Sequence, residues 1–250
     1  VFDDGSGPAL YAGGAFSGGI RRWTGSAWAF VGGGLSLDAW VRTLSVHDDG
    51  SGPALYVGGT FTEAGGVAVS NLAKWDGTAY SAVGNLDADI IWDLESWNDG
   101  EGEVLFAAGV AEIGLDQSVL ARWDGSSWSL ILDETNSPIS VGSLTVYDDG
   151  SRSRLAMAAG FNPFPGTPDN TISTWDGSTF TKLGTVVGRV ESMRSFDDGQ
   201  GPALFVGGDL TELGGVTSQN FGVYFCPPEP PFFADGFESG DVGAWSFSTH

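Results

Sequence analysis

The stretch VHDDGSGPALYVGGTF, residues 46–61, decides how the rest of the chain is read. Two acids and a glycine follow its opening dipeptide, a short apolar run comes next, and a double glycine stands near its end. Near-copies stand at residues 1–16 (VFDDGSGPALYAGGAF) and 195–210 (SFDDGQGPALFVGGDL). The acidic turn recurs as Asp3-Asp4-Gly5, Asp48-Asp49-Gly50, Asn98-Asp99-Gly100, Asp148-Asp149-Gly150 and Asp197-Asp198-Gly199, at spacings of 45, 50, 50 and 49 residues. A second marker follows the first four copies: Trp23-Thr24-Gly25, Trp75-Asp76-Gly77, Trp123-Asp124-Gly125 and Trp175-Asp176-Gly177. The fifth copy reads NFGVYFCPPEP in its place. Self-similarity at a period of this length marks an array of like structural units.

One copy parses into four strands. WVRTLSVH (40–47) alternates apolar and polar residues, and the acidic turn leads from it into ALYVGGTF (54–61). A loop, TEAGGVAVS, reaches NLAKW (71–75); Asp76-Gly77 reads as a two-residue hairpin loop with positive φ at both positions; TAYSAVG (78–84) closes the unit. Ala73 and Trp75 share a face of the third strand, as do Ala121 with Trp123 and Ser173 with Trp175. Trp28 and Trp128 fill a second aromatic slot shared with Tyr80 and Phe180. No sustained 3.6-residue period appears, and 40 glycines without a Gly-X-Y repeat weaken helices and exclude collagen. The expectation is an all-β chain, a β-propeller of about five four-stranded blades with a period of about 45–52 residues. The approximate units are 1–39, 40–89, 90–139, 140–189 and 190–226.

The first copy keeps only Val1-Phe2 of its innermost strand and the fifth stops after its third, so an incomplete ring and further sequence upstream are expected. Pro227 to Pro231 (227–231) reads as a stiff linker. Residues 232–250 are either a tail or a returning strand, since GAWSFST (243–249) has the pattern of a fourth strand.

The unit resembles the Kelch-type β-propeller repeat, and more closely the repeats of the cortical cell-polarity marker proteins and related bacterial secreted propellers. The residues that carry the likeness are Gly58-Gly59-Thr60-Phe61, Gly65-Gly66, Asn71-Leu72-Ala73-Lys74-Trp75-Asp76-Gly77 and Val83-Gly84, with Gly13-Gly14 and Gly207-Gly208 in other copies. It spans roughly residues 1–226. Copies three and four depart from it, with FAAG (106–109) and MAAG (157–160) each replacing one glycine by alanine, and Arg21 fills the small slot of copy one. The end of the chain, FADGFESGDVGAWS, resembles a C-terminal tail of exported bacterial proteins, which implies an extracellular or cell-surface location. The resemblance speaks to fold; propellers carry unrelated activities.

The formal net charge of −22 repels phosphate backbones and anionic headgroups, which argues against nucleic acid and against membranes as partners. No apolar run is long enough to span a bilayer as a helix. Cys226 is the one cysteine, and His47 and His250 are the two histidines. That leaves no disulfide framework, no thiolate metal site and no Ser-His-Asp set. Kelch-type copper-radical oxidases need His and Tyr ligands with a Cys–Tyr crosslink, which this chain does not offer. No phosphate-binding loop is present.

Calcium is the one cofactor the sequence leaves open, with Asp3, Asp4, Asp48, Asp49, Asp148, Asp149, Asp197 and Asp198 as candidate ligands. Calcium needs six to eight oxygens, and DDGSGPAL offers two adjacent carboxylates without a third, so a turn capped by its own side chains is the simpler reading. For glycoside cleavage the acids outside the turns are Asp87, Asp89, Asp93 and Glu95; alternation places Asp89, Ile91, Asp93 and Glu95 on one strand face, which reads equally as the polar side of an innermost strand. Trp23, Trp75, Trp123 and Trp175 read as packing residues because they repeat. Trp40, Trp92 and Trp97 do not, and with the loop FNPFPGTPDN (161–170) they are where exposure and binding are expected. The sequence therefore points to a non-catalytic binding scaffold for a protein or glycan. A propeller polysaccharide hydrolase or lyase and a calcium-dependent adhesion module are the alternatives.

Overall fold

The computed structural model describes residues 1–111, 117–132, 141–148, 152–159, 170–197 and 201–225. Every regular element among them is a β-strand. Asp149, Asp198, Gly160, the loop 161–169, Cys226, the linker 227–231 and residues 232–250 lie outside the described residues. The chain divides into two compact units, Val1–Leu144 and Thr145–His250.

The second repeat shows the full pattern. Strands β6 (Trp40–Asp48), β7 (Pro53–Thr60), β10 (Leu72–Trp75) and β11 (Tyr80–Ala82) form one antiparallel meander. The segment between β7 and β10, expected to be a plain loop, contains a small hairpin of β8 (Glu63–Ala64) and β9 (Val67–Ala68). In the third repeat β12 (Ile90–Asn98), β13 (Glu103–Ala111), β14 (Gln117–Trp123) and β15 (Trp128–Leu132) make the same meander. The first repeat divides at Leu10. β1 (Phe2–Asp3) pairs with β2 (Pro8–Ala9), while β3 (Tyr11–Gly13), β4 (Ile20–Trp23) and β5 (Trp28–Phe30) form a separate sheet.

Strand β16 (Val141–Asp148) runs from the end of the first unit into the second. There it heads a sheet ordered β16, β17 (Ser153–Ala159), β18 (Asn170–Trp175), β19 (Phe180–Asp197), β20 (Pro202–Leu213) and β21 (Val216–Thr217), with β22 (Phe221–Phe225) also paired to β20. The length of β19 explains this fusion. Its first part pairs with β18 from Trp175↔Phe180 to Asn170↔Val186, and its later part pairs with β20 as far as Asp197↔Pro202. The sequence boundary at 189/190 thus falls inside one strand that serves repeats four and five. Gly188, with φ +112°, allows the irregular step between the two parts.

The Asp-Gly hairpin differs from its expected form. Asp76 N–H donates to the Ala79 carbonyl, and Asp76 Oδ1 accepts from the backbone N–H groups of Thr78 and Ala79. The central pair is therefore Gly77-Thr78, with Gly77 alone at positive φ (+101°). The carboxylate stands in for a backbone acceptor, so one left-handed residue suffices. Asp124 and Asp176 repeat the arrangement.

The double glycine has two separate causes. In β6 and β12 the register jumps from Val41 to Thr43 and from Ile91 to Asp93, leaving Arg42 and Trp92 as bulged residues. The bulge brings a carbonyl over the neighbouring strand: a Cβ on Gly59 would overlap the Trp40 oxygen, and one on Gly109 the Ile90 oxygen. The first glycine of the pair faces the following repeat instead. A Cβ on Gly13 would strike Val41, and one on Gly58 would strike Ile91. Cross-strand pairing places Ala108 and Ala158 at the Gly58 position, and it places Ala159 at the Gly59 position. Both glycines are thus replaced in the fourth copy, not one.

In repeats one to three, the face a sheet turns to the next repeat is its forward face and the face turned to the preceding one its backward face. Forward residues Phe2, Tyr11 and Ile20 of repeat one share a core with backward residues Leu55, Ala73, Trp75 and Tyr80 of repeat two. Tyr56, Leu72 and Val83 of repeat two stand likewise with Leu105, Ala121, Trp123 and Trp128 of repeat three. Gly32 and Gly84 complete these joints, since a side chain at either would strike the Trp75–Tyr80 or Trp123–Trp128 ring pair. Trp128 Nε1 donates to the Val83 carbonyl at 2.9 Å across the second joint.

Candidate functional site

Two groups of polar side chains recur at the same place in successive repeats: the acidic turns and the innermost strands. In the turn after β6, Asp48 Oδ1 accepts from Gly50 N–H and Gly52 N–H, both at 2.9 Å. Asp49 Oδ1 accepts from the Ser51 N–H and hydroxyl, while its Oδ2 accepts from Tyr56 Oη at 2.7 Å and Lys74 Nζ at 2.6 Å. Asp3 and Asp4 do the same in repeat one, with Tyr11 donating to Asp4 Oδ2 at 2.8 Å and Arg22 Nε standing 3.0 Å from it. In repeat three Asn98 and Asp99 take these places; Arg122 Nε donates to Asp99 at 2.5 Å, and Glu101 lies at its other edge.

These contacts set the electrostatics. Burial alone would push the Asp49 carboxyl up, but donors from Lys74, Ser51 and Tyr56 outweigh it and hold the group well below the usual carboxylate range. Burial and the neighbouring carboxylate push Tyr11 up to about 12 and raise Tyr56 further. The proton stays on the phenol, which can only donate. An incoming cation would have to displace an ammonium or guanidinium already on the carboxylate. Among the described residues no group of three or more His, Cys, Asp or Glu side chains is placed to hold a metal ion.

Phe106 already replaces the tyrosine in repeat three, and the last two repeats lack both the tyrosine and the cation. Ala156 and Thr174 occupy the Tyr56 and Lys74 positions of repeat four, and Phe205 and Val223 occupy those of repeat five. Asp197 Oδ1 still accepts from Gly201 N–H at 3.1 Å. Asp148 ends β16.

On the innermost strands Asp93 joins three repeats. Its Oδ1 accepts from Thr43 Oγ1 and from Leu94 N–H, each at 2.9 Å; its Oδ2 accepts from Leu144 N–H at 2.8 Å and Ser143 Oγ at 3.3 Å. Thr43, Asp93 and Ser143 are spaced by 50 residues, one per repeat. The bulge at Trp92 also changes the expected alternation. Asp93 and Glu95 turn to the face opposite Ile91 instead of sharing it. Asp87 and Asp89 are exposed beside this strand. A short relay lies further along, where His47 Nδ1 meets Ser96 Oγ at 2.9 Å and Ser96 donates to Glu103 at 3.0 Å. His47 is buried edge-on against Tyr56, and that burial lowers its pKa, with Asp49, Glu103 and Asp48 pulling the other way.

The non-repeated tryptophans separate. Trp40 is 48% exposed and Trp92 is half-buried, whereas Trp97 is buried against Phe106, contrary to expectation. Arg42 lies between the other two, its guanidinium carbon 3.9 Å from the Trp40 ring centre and 4.0 Å from that of Trp92. The sequence reading missed this stack, whose signal was an arginine two residues after Trp40 and exactly one repeat before Trp92. The repeated tryptophans form cross-strand ring pairs, Trp23–Trp28, Trp75–Tyr80, Trp123–Trp128 and Trp175–Phe180. Trp75 and Trp123 are buried, while the pair in repeat one is exposed. Neither a protein-family model nor a curated protein matches the chain.

Proposed function

We propose that this chain is a non-catalytic β-propeller scaffold of Kelch-type repeats, about five four-stranded blades in an open ring, belonging to an exported bacterial protein. It binds an extracellular protein or glycan through side chains that the repeat does not use for packing. The observation that carries this reading is that Asp49 of the acidic turn and Asp93 of the innermost strand are already committed to structure. Asp49 holds a turn, a tyrosine and a lysine, and Asp93 accepts four donors from three successive repeats. A general acid needs a proton in reach of substrate; Asp93 instead stitches strands together. The exposed Trp40 ring, backed by Arg42 and Trp92, offers a flat apolar surface of the kind that partners stack against.

Affinity electrophoresis against a panel of soluble polysaccharides, with reducing-end release measured on the same mixtures, tests the glycan form. Retardation that Trp40→Ala abolishes, without release, supports it; release that Asp93→Asn abolishes would replace it with a hydrolase. The calcium alternative is checked by thermal melts in excess calcium and in chelator. The scaffold reading expects midpoints within about 1 °C of each other, whereas a site that binds only the folded chain would raise the midpoint by several degrees.

A further inference from the structure

The head of the innermost strand in repeat two carries side chains that the repeat frame does not call for. Ser36 N–H donates to the Glu63 carbonyl and Ala39 N–H to the Ser36 carbonyl, each at 3.0 Å, which fixes a tight turn with Leu37 and Asp38 at its tip. Leu37 is 94% exposed, and the residue one repeat later is Asp87. Trp40 follows at the start of β6, where repeat three has Ile90. Arg42, whose counterparts are Trp92 and Gly142, lies against one face of the Trp40 ring and against the Trp92 ring beyond. Two large apolar side chains exposed within four residues, one of them braced from behind, mark a contact surface. Repeat two has a described neighbour on each side, and all of these residues lie within the first unit.

We propose that Leu37 and the Trp40–Arg42–Trp92 stack form a binding subsite for a neutral pyranose chain, with one sugar ring lying on the face of Trp40 that Arg42 leaves open. This deepens the scaffold reading and rests on it. Three features select the ligand. The stack holds the indole in place before binding, so little side-chain freedom is lost when a flat apolar partner settles on it. The C–H face of a pyranose is such a partner, and its hydroxyls need acceptors at the rim. Asp38 at the turn tip supplies one, and Asp87 and Asp89 are exposed where the chain enters β12. Those carboxylates and the net charge of −22 repel uronic or sulfated sugars. A cationic partner, an amino sugar or a lysine-rich peptide, is disfavoured on the ring itself, because Arg42 already draws on its π-electrons from the opposite face. A neutral sugar meets neither obstacle.

Calorimetric titration of the full chain with hydroxyethyl cellulose, galactomannan and xyloglucan, and with carboxymethyl cellulose, polygalacturonate and chitosan as charged counterparts, tests this. A neutral polymer is expected to bind, with an affinity that changes less than about twofold between about 0.05 and 0.5 M salt, since screening acts on charges and not on stacking. Trp40→Ala is expected to weaken that binding about tenfold or more, and Trp40→Phe to recover part of it, because a smaller ring still offers a flat face. Leu37→Ser should weaken it about threefold. Unchanged urea midpoints establish that the variants are folded. Binding of charged polymers alone, failure of all three neutral polymers to bind, or neutral binding that Trp40→Ala leaves intact overturns the subsite. Each of these leaves the scaffold reading to another surface or to a protein partner. Release of reducing ends from a bound neutral polymer overturns the scaffold reading instead and leaves the subsite supported.

Discussion

Replacing Lys74 with methionine isolates what the acidic turn contributes. The ammonium donates to Asp49 Oδ2 and to Ser51 Oγ, both at 2.6 Å, and the side chains of Lys74 and Asp49 are only 13% and 12% exposed. Methionine keeps most of the apolar stem and removes the charge. Stranding a buried partner costs about 3–5 kcal/mol, but Asp49 would retain the Ser51 N–H, the Ser51 hydroxyl and Tyr56 Oη. We therefore expect a loss of about 2–3 kcal/mol, in the range of a hydrogen bond to a charged group. With a urea slope of about 2 kcal/mol/M, the midpoint of the first unit would fall by about 1–1.5 M. Arg22→Met removes the looser and more exposed pair of repeat one and should cost about 1 kcal/mol or less.

The pH dependence has a definite sign. The Asp49 carboxyl titrates lower in the folded chain than the unfolded value of about 3.9. Its contribution is complete above that pH and is lost as pH falls through the folded value. The gap between wild type and Lys74→Met should therefore be widest near neutrality and close in strong acid. A double-mutant cycle with Asp49→Asn, followed by tryptophan fluorescence in urea, reads the coupling directly. A cost under about 0.5 kcal/mol, or strict additivity in the cycle, would refute the view that these acids are structural.

Three further outcomes follow from the same geometry. Gly59→Ala should cost about 3 kcal/mol or more because its Cβ meets the fixed Trp40 carbonyl, whereas Gly58→Ala meets the Ile91 and Thr43 side chains and should cost about half as much; urea midpoints decide. His47 is buried with a lowered pKa, so the stability tied to its neutral form is full above about 6.5 and declines as pH falls below that value. His47→Phe, which installs the residue found at Phe2, should flatten the midpoint between about pH 5 and 7; an unchanged slope would place the titration elsewhere. The hydroxyl of Thr174 is buried without a hydrogen-bond partner at the position of Lys74, so Thr174→Val should be neutral or stabilise by up to about 1 kcal/mol in thermal melts.

Much of the sheet pattern was legible because local chemistry dictates it. Acid-acid-glycine turns, Trp-Asp-Gly hairpins and apolar alternation each act within a few residues. What the sequence concealed came from contacts at a distance. The bulges at Arg42 and Trp92 come with no breaker of their own; they show only in how Gly59 and Gly109 sit under a carbonyl of the neighbouring strand. Once unseen, they sent Asp93 and Glu95 to the wrong face. The pairing of Asp49 with Lys74 spans 25 residues, yet it could have been found. A cation stands immediately before the tryptophan in repeats one to three and is absent from repeats four and five, while the turn's tyrosine is present in repeats one and two only.

Exposure is the property that local sequence determines least. Phe2 and Phe196 are the same residue at the same point of the same motif, one before the acidic turn, paired with Ala9 and Ala203 respectively. One is 4% exposed and the other 60%. Phe2 owes its burial to the following repeat, where it shares a core with Leu55, Ala73 and Trp75. In a repeat array each unit buries its apolar face only against a neighbour, so burial belongs to a joint and not to a residue. The same holds for Trp28 and Trp128, which differ in environment because Val83-Gly84 covers the second of them.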